Sequence, residues 1–344
     1  MPKRKEKTAK AKSMSVWTDI ETIDEIERIM EETGKSRGEV IADAIAATRN
    51  DDEDDYKKPA ILTVTSFKGG VAKTTTAANL GICLANYGHS VLLIDLDRQG
   101  SMSQYLRVYD PEAIKPCIAD VLLSDKNGHR MKLEDVTVST DFDNLDIVTS
   151  SFKFANADSA MKSESGVGLD MRLMYAIEDL NETKHYDFII IDCPPELSLV
   201  VTNAITALEA GNKGSFIIVP VRPDGFSEYG MRDTINMIET VAKERRANPP
   251  KYYLLWTIIE PRTNVFKAAK QQIETRFKNV KFLNSRIDKS TKAAEASLGM
   301  YPLCEYDPSC KPAIQYNDLA AEVESMVYPD IEEGIKAISS SNDD

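Results

Sequence analysis

The chain has 344 residues, of which 42% are hydrophobic and 28% charged, and its net charge is −13. That length fits one large domain with extras or two domains, and the composition is that of a globular chain in water. No apolar run approaches the roughly 20 residues that cross a bilayer, and the acidic balance argues against a surface coated in nucleic acid.

Residues 1–13 carry six Lys/Arg against one acid, Glu6, and read as a basic flexible tail. The absence of an apolar leader predicts a cytoplasmic protein. Residues 14–49 form a small unit. Met14, Val16 and Thr18 alternate as a short strand does, and Ile23, Ile26, Ile29 and Met30 make a helical stripe. Gly34 suits the helix stop, and Ser36 with Glu39 forms a capping box for a second helix that buries Val40, Ile41, Ala44 and Ile45. Strand, helix, turn and helix resemble a ribbon-helix-helix module. Such a module dimerises through its strand, whose outward side chains, here Ser15 and Trp17, would read bases. The alternative is a helical hairpin that only dimerises or packs on the rest of the chain. Residues 50–58, "NDDEDDYKK", predict an acidic linker that keeps the module detached.

From residue 59 to 330 apolar runs alternate with helical stretches. The runs are 60–66, 90–97, 145–150, 186–192, 215–221 and 252–259; helices are expected over 73–88, 168–181, 197–210 and 226–246. Continuous rather than alternating apolar runs indicate strands buried on both faces. The fold class is therefore α/β, a mostly parallel sheet with helices on both faces. Residues 331–344 read as a C-terminal tail. Five scattered cysteines without a CxxC pair, and three histidines, predict neither a disulfide frame nor a zinc site.

Ligands of such sheets bind beyond the carboxyl ends of the strands. There the sequence places "KGGVAKTT" (68–75), Asp97 and Asp192. Gly69 and Gly70 let backbone approach a phosphate, Lys73 suits the β- and γ-phosphates, and Thr74 suits Mg²⁺. Asp192, after a run of isoleucines, suits a carboxylate that holds Mg²⁺ through water. ATP and Mg²⁺ are the expected ligands, cradled by Lys68, Gly69, Gly70, Val71, Ala72, Lys73, Thr74 and Thr75. Ala72 replaces a glycine, which is tolerated only if its φ stays negative.

"KGGVAKTT", "DLDRQGSMS" (95–103), "IDCPPELS" (191–198) and "VPVRPDGF" (219–226) together resemble the ParA-type partition ATPases of the deviant Walker A group, over about residues 60–327. The resemblance implies a P-loop ATPase that dimerises on ATP. In it Lys68 reaches across the homodimer to the partner's phosphates, Asp97 positions the attacking water, and Pro220 and Asp224 lie near the adenine. It also implies non-specific DNA binding in the ATP state, nucleoid association, and stimulation by a ParB-like centromere-binding protein. Candidate DNA contacts are Arg262, Lys267, Lys270, Arg286, Lys289 and Lys292. Repression of its own operon through the front module is a further expectation. An ATP-regulated transcriptional regulator and a positioner of protein cargo are the alternatives. The C-terminal sequence lacks the basic, bulky-apolar helix of a membrane-bound relative.

Overall fold

Strand β1 (Ala60–Val64) is buried along its whole length, because strands pair with it on both sides and helices cover both faces. The computed structural model describes residues 20–48, 58–108, 116–164, 167–224 and 227–329. Within them lie β2 (Val91–Asp95), β3 (Thr137–Ser139), β4 (Leu145–Val148), β5 (Phe188–Asp192), β6 (Phe216–Val221), β7 (Tyr252–Ile259) and β8 (Phe282–Asp288). They form one sheet in the order β3-β4-β2-β5-β1-β6-β7-β8. Every pairing is parallel except β3 on β4.

Six strands coincide with the apolar runs of the sequence. The other two carry no such run, for physical reasons. β3 has three half-exposed or exposed residues. β8 lies at the sheet edge and mixes exposed with buried positions.

Among the described residues, helices of eight or more residues are α1 (Ile20–Thr33), α2 (Arg37–Thr48), α3 (Lys73–Asn86), α4 (Arg172–Asn181), α5 (Leu199–Thr206), α6 (Ser227–Glu244), α7 (Asn264–Arg276), α8 (Thr291–Leu298) and α9 (Lys311–Val327). Successive strand residues point to opposite faces, and the core divides accordingly. Ile61, Ile189, Ile191 and Ile217 pack under α4, α5 and α6. Leu62, Ile190 and Ile218 pack under α3 and α9, a face that also takes Ile26, Val40, Ile41 and Ala44 of the front hairpin.

That last contact corrects the expectation of a detached module. The local geometry of the hairpin is as read: Gly34 takes φ +70°, and Ser36 and Glu39 exchange the two bonds of a capping box at 2.7 and 3.2 Å. Its placement is not. The N-terminus of α2 is occupied by the Asp187 carboxylate, which accepts from Ser36 Oγ at 2.9 Å and from the Gly38 N–H at 3.3 Å. A Cβ at Gly38 would run into that carboxylate, so only glycine permits the approach. Arg37 is buried and donates from Nε to Glu324 Oε1 at 2.5 Å, and its own N–H bonds the Gly88 carbonyl. His89 lies between the two acids, 2.7 Å from Glu324 and 3.5 Å from Asp187.

Burial alone would raise the Glu324 carboxyl and lower the His89 imidazolium. The charge of Arg37 and the bond to His89 outweigh it at Glu324, which is held at about 2, and the two carboxylates raise His89. The reading that α1 and α2 pack on the rest of the chain is the one the contacts favour. The expected ribbon with Ser15 and Trp17, the basic tail, residues 50–57 of the linker and residues 330–344 lie outside the described residues.

Candidate functional site

The loop from Thr65 to Ala72 joins β1 to α3 and leaves the sheet at its carboxyl edge. Gly69 and Gly70 are exposed, Gly70 takes φ +71°, and an added Cβ at either meets no atom within 4 Å. The loop backbone is therefore open to a ligand. α3 starts at Lys73 with no side-chain cap, so its first N–H groups face outward, where an anion is favoured. Ala72 takes φ +65°, which overturns the expectation of negative φ. A methyl group there costs about 1–2 kcal/mol, so the loop must be held by other contacts. Three are present. Lys73 Nζ donates to the Lys68 carbonyl at 3.1 Å, Thr257 Oγ1 donates to the Val71 carbonyl at 2.9 Å, and the Phe67 N–H donates to Thr234 Oγ1 at 3.1 Å.

The acidic side of the site comes from β2 and β5, where Asp95 and Asp192 stand opposite one another in register. Asp95 is fully buried and accepts from the Ser103 N–H and hydroxyl and from the Asp97 N–H at 2.8–3.1 Å. Burial still pushes it up to about 6. Asp192 differs: both its carboxylate oxygens are buried, and neither has a hydrogen-bond partner among the described residues. Burial and the neighbouring Asp95 raise it well above the usual carboxylate range, against the pull of Thr74 and Lys73. Lys73 is 7% exposed and lowered by the same burial. A dry carboxylate without donors is unfavourable unless something charged meets it. With the Thr74 hydroxyl nearby, this donor set fits a hard divalent cation.

The structure thus brings together Lys73, Thr74, Asp97 and Asp192. Lys68 points elsewhere, forming an ion pair with Asp224. Pro220 lies in the interior of β6, paired with Leu255. Arg98 is exposed and lines a cavity of about 300 Å³ with Phe154, Asp158, Glu196 and Leu197.

Sequence reasoning missed Thr234, Thr257 and the Ser103–Asp95 bond. Thr257 left one signal, as a polar residue inside the apolar run "YYLLWTII".

The basic candidates lie beyond β7. Arg262 is exposed in the turn after it, Lys267 and Lys270 lie on α7, and Arg286 lies on β8. Lys289 pairs with Glu260 at 2.7 Å, Lys292 with Glu295 at 2.9 Å, and Lys270 with Glu274 at 3.7 Å. Arg262, Lys267 and Arg286 have no carboxylate partner among the described residues.

A family model described as an AAA domain matches residues 59–249. The sporulation initiation inhibitor protein Soj of Bacillus subtilis is 31% identical over 263 residues, covering 76% of this chain and 97% of Soj. The chromosome partitioning protein ParA of Caulobacter vibrioides is 30% identical over 266 residues, covering 76% and 93%. The chain belongs to the ParA/MinD family of partition ATPases. Among solved structures, the septum site-determining protein MinD of Pyrococcus horikoshii, complexed with Mg-ADP, is 26% identical with a TM-score of 0.56, over 76% of this chain and 94% of that one. The match to this family starts after the front hairpin, which is therefore an addition to the AAA region. No helix among the described residues of this ParA-family chain is long and apolar enough to cross a membrane.

Proposed function

We propose that the chain is an ATP-driven partition switch: it dimerises on ATP, binds DNA without sequence preference in that state, and releases it when a ParB-like centromere-binding partner stimulates hydrolysis. The observation that carries this reading is Asp192, buried with two unpartnered oxygens beside Lys73 and Thr74. Lys73 neutralises the β- and γ-phosphates, and the N–H groups of the loop and of the α3 start hold their oxygens. Bound Mg²⁺, held by Thr74 and through water by Asp192, would draw charge off the phosphates. Asp97, half-buried beside these groups, orients the attacking water. Lys68 acts across the dimer on the partner's phosphates, leaving Asp224 to do so, and the adenine lies toward Pro220 and Asp224.

The DNA contacts belong first to Arg262, Lys267 and Arg286. Lys270, Lys289 and Lys292 must leave neighbouring carboxylates before they meet a phosphate, so each contributes less. Counterion release makes log K fall by about 0.9 per contacted phosphate per decade of salt. The docked hairpin favours a structural role for 20–48, and operon repression then rests on the residues ahead of it.

Sedimentation with phosphate release tests the switch. D97A should bind ATP and sediment as a dimer, yet release no phosphate. Phosphate release at the wild-type rate by D97A would remove Asp97 from this role, and a monomeric wild type in ATP would remove the dimer from the mechanism.

A further inference from the structure

Two left-handed residues that are not glycine stand on either side of one hydrogen bond. Ala72 follows Val71, whose carbonyl accepts from Thr257 Oγ1 at 2.9 Å, and Ile258 follows Thr257 with φ +52°. For a β-branched residue that conformation is an outlier, of the kind that persists only where the surroundings enforce it. Thr257 is fully buried, and its hydroxyl links β7 directly to the backbone of the phosphate loop.

The other side of β7 holds the basic face. Trp256, adjacent to Thr257 and pointing the opposite way, stacks on Phe282 of β8 at 5.0 Å and meets Phe266 of α7 edge-on at 5.3 Å. Trp256 stands in register with Arg286, and the pairing of β7 with β8 shifts between Trp256 and Ile259, around the strained Ile258. Beyond the shift the Ile259 carbonyl accepts from the Lys289 N–H at 2.8 Å, and Glu260 holds the Lys289 side chain. One short strand end therefore touches the phosphate loop through residue 257 and carries Arg286, Lys289 and the Arg262 turn through residues 256 and 258–260.

We propose that Thr257 is a positioning residue that ties the conformation of the phosphate loop to that of the Arg262–Arg286–Lys289 face, with the strained Ile258 between them as the point that yields. A phosphate drawn into the loop moves the Val71 peptide, Thr257 follows its acceptor, and the register shift at Ile258 passes the movement to β8 and the turn. The proposal rests on the nucleotide-switch reading above, but it concerns the link and not the ligand of the basic face.

The test is hydrogen–deuterium exchange on the full chain, with and without a slowly hydrolysed ATP analogue and Mg²⁺, in wild type, T257V, T257S and I258G. In wild type the nucleotide should change exchange in peptides spanning 258–268 and 282–292 as well as in the loop. T257V keeps the shape and loses the hydroxyl. It should bind the fluorescent nucleotide MANT-ATP within about threefold of wild type, the loss of one hydrogen bond, and its two distal peptides should no longer respond. T257S should restore the response. I258G removes the strain without touching the bond, and should also uncouple the distal peptides.

Binding of a mixed-sequence duplex should follow, with the ATP-dependent gain of wild type reduced about tenfold in T257V. Distal peptides that respond as in wild type in both T257V and I258G would overturn the proposal. A Thr257-dependent response in a chain that binds no DNA in either state would support the link and remove the DNA reading instead.

Discussion

At the amino ends of the central strands, Asp187 and Glu324 are surrounded by donors: Ser36, Arg37, the Gly38 and Ser90 N–H groups, and His89. At the carboxyl ends of the same strands, Asp192 accepts no hydrogen bond from the described residues, with Thr74 and Lys73 beside it. Both groups are buried, so burial alone does not separate a structural carboxylate from a functional one. Saturation does. The donors around Asp187 and Glu324 hold both carboxyls low, whereas burial and the neighbouring Asp95 raise Asp192 against the weaker pull of Thr74 and Lys73.

Breaking the saturated end should have the largest effect. R37M leaves Glu324 without its guanidinium, and removing one member of a buried pair costs about 3–5 kcal/mol. Urea unfolding of the full chain should show that loss, while MANT-ATP affinity stays near wild type. Deleting residues 1–58, which for a detached module would cost nothing, should destabilise the ATPase by exposing the apolar face under Ile26, Val40 and Ile41. An unchanged midpoint for both variants would mean that the hairpin does not dock in solution.

Glu324 and Asp95, one from each end, should also respond to pH in opposite directions. Glu324 drops from 4.5 to about 2 on folding, so its stabilisation is present above 4.5 and is lost as pH falls toward 2. Asp95 rises from 3.8 to about 6, so the stability linked to it is present below 3.8 and is lost as pH rises through 6. His89, raised above 6.5, adds a further loss as pH climbs through its folded value. Unfolding free energy measured from pH 3 to 8, on the order of one point per unit, should therefore fall on both flanks. E324Q should flatten the acid flank and D95N the flank near pH 6. A D95N profile that overlays wild type would contradict the account of the carboxyl end.

Much of this was legible because it is local. Gly34, Ser36 and Glu39 mark the hairpin turn within six residues, and "KGGVAKTT" marks the loop within eight. What was not legible depends on partners far apart in the chain. Arg37 meets Glu324 across 287 residues and Ser36 meets Asp187 across 151, so nothing near residue 36 announces that its helix start is already occupied. The charged run at 51–55 reads as a spacer whether or not the elements on either side touch. Ala72 shows the same limit at the site: its left-handed backbone is sustained by Thr257, a residue 185 positions away (257 − 72).

Two smaller effects sharpen the contrast. S36A should cost about 1 kcal/mol, as expected for the loss of a helix cap, with no change in nucleotide affinity. A72G should do the reverse at the other end, stabilising the chain by about 0.5–1 kcal/mol as the relief of left-handed strain exceeds the added freedom of the unfolded chain. Thermal unfolding checks both.

The most direct test titrates MANT-ATP into wild type, D192N and R37M, with and without Mg²⁺. Wild type and R37M should bind more tightly when Mg²⁺ is present, and D192N should lose that gain by about tenfold or more, the scale set by removing a carboxylate that holds a metal through water. Binding by D192N with the Mg²⁺ dependence of wild type would contradict the claim that the unpartnered carboxylate marks the nucleotide site.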